Sequence, residues 1–529
     1  SAILMGFLLL ASLPGVAASE DLRLVAAAKE RNMAALRALL NEHAAVNASQ
    51  PDGATALHWA AHWDDRQAAE LLIAAGANVN AKNDYGITPL FLACTNGSAA
   101  MVELLLQAGA DARAVLPSGE TVLMTCARAG SAEAVKKLLE RGAEVNAKNH
   151  EDGQTALMWA VAQKHPEVVA TLIAHGADLH ARSKGGFSPL LFAARVGDVE
   201  SARLLLAAGA NVNEAMPNKA RAPHLTSRYG EAPQGASPPA EEPQLGTTTP
   251  LLMASASGHE ELAIFLLQNG ADPNAVDEYG ATALHYTVLK GIASMNGVSL
   301  ANYVSYLFRP NMPHLAKALL EHGANPDARI LKGVPVAGGR GADASGATAF
   351  LLAAAANDTH IMRLLVEHGA NPRLVADDNR TAIMAGAGLG RVQDFTPQEE
   401  QAALECLKFA VSLGGDVNAV DAKNRTALHG ATNLGANTLI RFLAEQGAKL
   451  DVRDIYQQTP LSIASGVHLP WTPKGEELGE VVRRETADLL LQLGATPLDT
   501  PGYFTPVEQE SDAYRLNPRR TVPGVAVPD

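Results

Sequence analysis

The chain has three cysteines in 529 residues, which is no disulfide framework. Aromatic residues are also scarce, at 5% of the total, and the abundance of alanine and leucine in their place suits thin, closely packed helices. An excess of basic charge is missing: the formal net charge is −14, against nucleic acid or an anionic membrane as the main partner, since both demand a basic face. The only long apolar run covers residues 2–13, too short for a membrane span, and no cysteine beside it is placed to take a lipid. Gly-x-Ser-x-Gly, His-Glu-x-x-His and paired Cys-x-x-Cys motifs are absent, and the acidic residues are scattered over turn and surface positions. No catalytic residue and no cofactor is therefore expected.

Residues 76–109 show how the chain is built. The stretch from Asp84 to Gly86 suits a turn, Thr88 can cap a helix opening at Pro89, and Leu90, Ala93 and Cys94 form its narrow apolar face. Gly97 breaks that helix, and Met101, Leu104, Leu105 and Leu106 set the period of a second, which Gly109 ends in a left-handed conformation. Neither helix buries enough to stand alone, so the hairpin must stack on copies of itself.

The copies are present. The capping residues Thr55, Thr88, Thr121, Thr155, Ser188, Thr249, Thr282, Thr348, Thr381, Thr426 and Thr459 recur at about 33 residues except where sequence is added. With the recurring Thr-Pro/Ala-Leu-His/Met/Phe-x-Ala and the Gly-Ala-Asp/Asn-x-Asn-Ala after each second helix, the chain resembles the ankyrin repeat over about residues 21–498. Asn379 and Asn424 stand at the turn glycine, as asparagine can, and Phe350 and Ser462 stand near the usual histidine. The resemblance implies an all-α solenoid of about twelve helix–turn–helix repeats with β-turn fingers along one edge, used to bind proteins and not for chemistry.

The expected organisation is a signal peptide over 1–18, a degenerate capping repeat over 19–47, regular repeats over 48–213 and a Pro-rich finger insertion over 214–246. Further repeats fill 247–498, with inter-helix insertions at 292–312, 391–401 and 468–481 and a finger insertion at 330–343, before a Pro-rich tail over 499–529. In the cap, Leu22, Val25 and Ala26 should share one helix face and Leu36, Leu39 and Leu40 the next. The small residues before Ser19 predict cleavage after Ala18 and a periplasmic or secreted monomer, with no membrane insertion once the signal is removed. Ser1 at the start, with no Lys or Arg before the apolar run, suggests a precursor that began a few residues earlier. Cys94 and Cys126 fall on adjacent inner helices about 10 Å apart at non-equivalent positions, so they read as buried apolar residues beyond the reach of a bridge.

Two local patterns invite a chemical reading. His58 and His62, four apart on one helix, can share a metal, but no third ligand is evident and His58 occupies the position of His285 and His429, where the ring more often bonds within the stack. No metal is therefore assigned. Gly386, Gly388 and Gly390 follow a short helix and not a strand, with no Walker lysine, so they read as a helix break. Asn-x-Thr/Ser triplets begin at Asn47, Asn96, Asn357, Asn379 and Asn424, and coincidence with the template accounts for them better than glycosylation.

Stacking faces must stay apolar, so specificity varies at the finger tips and the exposed ends of inner helices. The resemblance places His62, Trp63, Tyr85, Ile87, Arg128, Phe187, Arg195, Tyr279, Lys290, Arg380, Arg425 and Tyr456 at those partner-binding positions, with Trp63 foremost. A second candidate edge carries Tyr303, Tyr306, Phe308, Arg309 and Trp471, either buried against neighbouring repeats or offered to a partner. The expected function is an exported, non-enzymatic scaffold for partner proteins, and the resemblance to exported bacterial ankyrin proteins implies support of a periplasmic enzyme such as catalase. The alternatives are a small-molecule, metal or cell-wall-sugar binder using the aromatic insertions, and a secreted host-directed effector.

Overall fold

A computed structural model describes residues 22–216, 247–295, 310–332, 344–466 and 481–498. The signal segment, most of the Pro-rich finger insertion, the aromatic edge with Tyr303, Tyr306, Phe308, Arg309 and Trp471, and the C-terminal tail lie outside the described residues. Among the described residues the secondary structure is 25 helices with no strand, only isolated bridges such as Ser49 to Thr55 and Val115 to Thr121.

The chain divides into two compact units. The first runs to Ala193 and takes back Glu200–Ala210. Its helix pairs are Arg23–Lys29 with Met33–Asn41 (repeat 1), Ala56–His62 with Arg66–Ala74 (2), Pro89–Thr95 with Ala99–Gln107 (3), Val122–Ala129 with Ala132–Glu140 (4) and Ala156–Ala162 with Pro166–Ala174 (5). Repeat 6, Pro189–Val196 with Val199–Ala207, lies across the division. The second unit holds Pro250–Ser257 with Glu260–Gln268 (7), Ala283–Tyr286 and Leu289–Met295 with Pro313–Glu321 (8), and Ala349–Ala355 with Thr359–Glu367 (9). Ala382–Gly386 with Pro397–Ser412 (10), Ala427–Asn433 with Asn437–Glu445 (11) and Pro460–Ala464 with Arg484–Gln492 (12) complete it.

Within each unit three sets of contacts join a repeat to the next. The inner helices bury small and branched side chains against one another: Leu57, Ala60 and Ala61 of repeat 2 and Leu90, Ala93 and Cys94 of repeat 3 are all at most 1% exposed. The fingers are laced by backbone bonds, Asp84 N donating to the Asp52 carbonyl at 2.9 Å and Ile455 N to that of Lys423 at 3.0 Å. The second asparagine of Gly-Ala-Asn-x-Asn bridges outward. Asn47 Nδ2 donates to the Gly76 carbonyl at 3.2 Å while its Oδ1 accepts Asn78 N at 2.7 Å, and Asn80, Asn274 and Asn418 repeat the pattern. Asn47 is thus engaged through both amide atoms, and Asn96 Nδ2 donates to the carbonyls of Ala61 and His62, so these two triplets have a structural use that a glycan would disrupt.

Asn379 and Asn424 adopt φ of 61° and 57° at the finger turn, as expected for asparagine in place of glycine. Gln457 takes the same conformation, with φ 66°, although its side chain has no such local preference.

Three expectations need correction. The capping repeat buries Leu24, Val25, Ala27 and Ala28, leaving Leu22 and Ala26 exposed, so its inner face is turned from the one read off the sequence. The 391–401 insertion does not lie wholly between helices: from Pro397 it is the first part of a 16-residue helix, started by a capping box in which Glu399 N donates to Thr396 Oγ1 at 3.2 Å and Thr396 N to Glu399 Oε2 at 3.0 Å. Cys94 and Cys126 are joined by a disulfide with their Cα atoms 4.4 Å apart. The 10 Å figure is a distance between helix axes; where inner helices bury residues as small as Ala93 and Ala127, backbones can meet much closer than the axes do.

Candidate partner-binding surface

The site rests on how each inner helix is started and anchored. In repeats 2, 8 and 11 the motif Thr-x-x-His closes the first turn: Thr55 N donates to His58 Nδ1 at 3.1 Å, Thr282 N to His285 Nδ1 at 3.0 Å, and Thr426 N to His429 Nδ1 at 3.1 Å. A ring that accepts at Nδ1 must carry its proton on Nε2, and that proton is given to a carbonyl of the next finger. The acceptors are Ile87 at 3.0 Å, Ala328 at 3.0 Å and Gln458 at 3.4 Å. Burial lowers the pKa of all three histidines, to about 4 for His285 and His429. In repeat 12 Ser462 takes the histidine's place, its Oγ accepting Thr459 N at 2.8 Å.

His58 therefore has both ring nitrogens engaged within the stack, while His62 is exposed. Among the described residues no group of three or more His, Cys, Asp or Glu side chains is placed to hold a metal ion, and no helix is long and apolar enough to cross a membrane.

The C-terminal ends of the inner helices of repeats 1 and 2 build an aromatic cluster. Trp63 stacks on Trp59 with centroids 6.4 Å apart, the His62 ring meets Trp63 at 4.6 Å, and Lys29 Nζ of the preceding repeat sits 5.0 Å from the Trp59 centroid. Trp63 Nε1 donates to the Lys29 carbonyl at 3.0 Å, so its ring is held in one orientation while 42% of the residue stays exposed. Two repeats on, Arg128 lies over Trp159 at 4.9 Å and reaches Glu120 at 3.4 Å. In both places a cation from the preceding part of the stack covers a tryptophan, which fixes long side chains in advance of any contact.

At the finger tips the expected residues separate. Tyr85 is 71% exposed, with only its backbone tied down, by Asn83 Oδ1. Ile87, Phe187, Tyr279 and Tyr456 are half-buried; Ile87 accepts from His58, and Tyr279 receives Leu331 N and Lys332 N on its carbonyl. Arg195 is exposed and its carbonyl is within 3.0 Å of His259 Nε2. Arg380, at 1% exposure, is too buried to reach a partner: its guanidinium turns back onto Asp378 at 2.8 Å. Arg425 does the same with Asp421 at 2.7 and 2.9 Å, and Lys290 approaches Glu399 at 3.8 Å. Arg425 is thus committed within the stack as Arg380 is, while Lys290 stays partly exposed.

The strut formed by the repeat-10 insertion was missed from sequence. Arg483 of repeat 12 donates to both oxygens of Asp394, at 2.6 and 3.1 Å, and through Nε to the Asn433 carbonyl of repeat 11 at 2.9 Å. Arg391 pairs with Glu399 at 2.9 Å and stacks over Phe395 at 4.5 Å. The one legible signal was the Thr-Pro-x-Glu start at Thr396, a helix N-terminus inside the insertion.

Stacked helix pairs, interlocked fingers and exposed inner-helix ends define an all-α ankyrin-repeat fold. Models of ankyrin repeats match residues 75–149 and 123–216 (three-copy form), 52–84 and 345–377 (single repeat) and 251–295 (many-copy form), so the chain carries ankyrin repeats in both units. It is 34% identical over 116 residues, 20% of its length, to glycerophosphocholine phosphodiesterase gde1 of Schizosaccharomyces pombe. It is also 25% identical over 282 residues, 53% of its length, to the E3 ubiquitin-protein ligase KEG of Arabidopsis thaliana. The matches span only 10% and 14% of those two proteins.

Proposed function

We propose that this chain is a non-enzymatic scaffold that binds a partner protein through the inner-helix ends and finger tips of its first unit. The observation that carries the reading is Trp63: a large ring, oriented by a hydrogen bond and a stacked neighbour yet 42% exposed, meets a partner with little further loss of freedom. Tyr85, at 71% exposure, and Arg128, also exposed, are the other side chains of the first unit proposed to meet the partner. Ankyrin repeats generally serve protein binding, in keeping with this use.

The proposal places the protein outside the cytoplasm, in the periplasm, as support for a resident enzyme. The apolar run over 2–13 with small residues up to Ala18 favours export, and the Cys94–Cys126 bridge fits an oxidising compartment. N-terminal sequencing of the mature protein should begin at Ser19. Cross-linking in intact cells, followed by mass spectrometry, should recover a partner that a Trp63→Ala/Tyr85→Ala/Arg128→Ala variant loses. Equal recovery by the variant would move the binding surface elsewhere, and an uncleaved start would end the export reading.

A further inference from the structure

The two cysteines of the first unit meet across the boundary between repeats 3 and 4. Cys94 sits on Pro89–Thr95 and Cys126 on Val122–Ala129, 32 residues apart in sequence and each 0% exposed, on helices that also bury Leu90, Ala93, Leu123 and Ala127. We infer that this pair is a redox lock on the first unit: it closes while the repeats are still assembling, ties repeat 3 covalently to repeat 4, and is afterwards shielded from reductant by the stack itself.

Each repeat is held to its neighbours by side-chain packing, finger bonds and asparagine bridges, so separation at one boundary is a cheaper excursion than unfolding of the whole unit. A bond across the boundary removes that excursion and also restricts the unfolded chain over the enclosed loop.

The chemistry needs an external disulfide RSSR, either a small molecule or an oxidoreductase. The Cys94 thiolate attacks one sulfur, forming a mixed disulfide and releasing RS⁻; the Cys126 thiolate then attacks the Cys94 sulfur and expels the second RS⁻. Both cysteine protons end on the two RSH formed, so two thiols are oxidised and one RSSR is reduced. Neither sulfur is reachable in the closed stack, and so exchange in either direction requires repeats 3 and 4 to part. Cys406 of the second unit is also fully buried, its Sγ 3.4 Å from Met362 Sδ, and burial pushes its thiol up to about 12, which makes it an internal control.

The test uses the full chain, refolded in a glutathione buffer that oxidises accessible dithiols, then denatured and labelled with a polyethylene-glycol maleimide. One adduct is expected, on Cys406, rising to three after prior reduction; three adducts without reduction would overturn the lock. In dithiothreitol the native chain should keep its single adduct while the urea-unfolded chain gains the other two. Equal rates would overturn the shielding. Complete reduction should lower the melting temperature of the first unit by roughly 5–10 °C and leave the second unchanged. Cys94→Ala/Cys126→Ala should match the reduced protein and ignore reductant. No shift in either would show the bridge has no mechanical role.

Discussion

In the first unit, inner helices pack in succession from repeat 1 to repeat 5, and one cross-link joins two adjacent repeats. In the second, contacts also skip a repeat: Arg483 of repeat 12 reaches Asp394 beside repeat 10, and Lys290 of repeat 8 reaches Glu399 of the same repeat. The two units solve one problem differently. Regular neighbours make stability a sum of local terms, whereas a strut shared by repeats 8, 10, 11 and 12 makes separate repeats depend on one another. Template cations are held by internal acids in both units, Arg380 by Asp378 and Arg425 by Asp421 in the second and Arg128 by Glu120 in the first.

The largest effects should come from the cores. Leu105→Ala in repeat 3 and Leu365→Ala in repeat 9 each remove a side chain at 0% exposure and should cost about 2–5 kcal/mol. Hydrogen exchange separates the units. Leu105→Ala should loosen amides in repeats 2–4, while Leu365→Ala should loosen them as far as repeat 12. A spread of equal breadth in both would remove the distinction between local and strutted stacking.

Acid should break the comparison next. His285 and His429, both in the second unit, are neutral when folded with pKa values near 4 against 6.5 unfolded, and each accepts a backbone N–H on Nδ1 that a second ring proton would displace. Depressed folded values mean stability is full above pH 6.5 and falls as pH drops toward 4, by up to about 3 kcal/mol per ring. Asp277 and Asp454 oppose this, because burial raises their pKa values and the folded state then takes up protons first. Arg425 lowers the His429 value further and Asp421 raises it. Urea unfolding between pH 7 and 4.5 should therefore weaken the second unit more than the first, where His58 is the only member of the set; parallel loss in both would reject this account.

The sequence carried the repeat and its starts well, because Thr-x-x-His, Gly-terminated turns and Asn379 and Asn424 act through their own neighbours. It carried pairwise events poorly. Arg380 looked exposed at a finger position, yet Asp378 two residues earlier takes its guanidinium inward. Gln457 takes the turn conformation in a loop tied by Asp454, whose Oδ1 accepts Tyr456 N and Gln458 N. The Cys94–Cys126 contact depends on how closely two small-residue faces approach, which periodicity does not specify. The Asp394–Arg483 pair is 89 residues apart and follows no template.

That pair gives a smaller test. With Arg483 mostly buried and Asp394 half exposed, the coupling measured by a double-mutant cycle of Asp394→Ala and Arg483→Ala should be about 1 kcal/mol. Arg483→Ala alone should cost more, since it also removes the Nε bond to the Asn433 carbonyl. Zero coupling would make the strut a packing contact and not an ionic one.

The smallest effects on stability, and the sharpest on binding, belong to the first unit's exposed rings. Tyr85→Ala removes a side chain that is mostly in solvent and should change unfolding by less than about 0.5 kcal/mol. Trp63→Ala should cost about 1 kcal/mol, because the ring also gives up the Lys29 carbonyl bond and its stack on Trp59. Trp63→Phe keeps the stacking and loses the N–H, so the three variants rank by structural contribution as Tyr85→Ala, Trp63→Phe, Trp63→Ala. Partner affinity should follow another order, with Trp63→Ala losing at least about 30-fold, as for a hot-spot ring. If affinity instead tracks the stability ranking in small equal steps, Trp63 serves the stack, and the partner engages some other face.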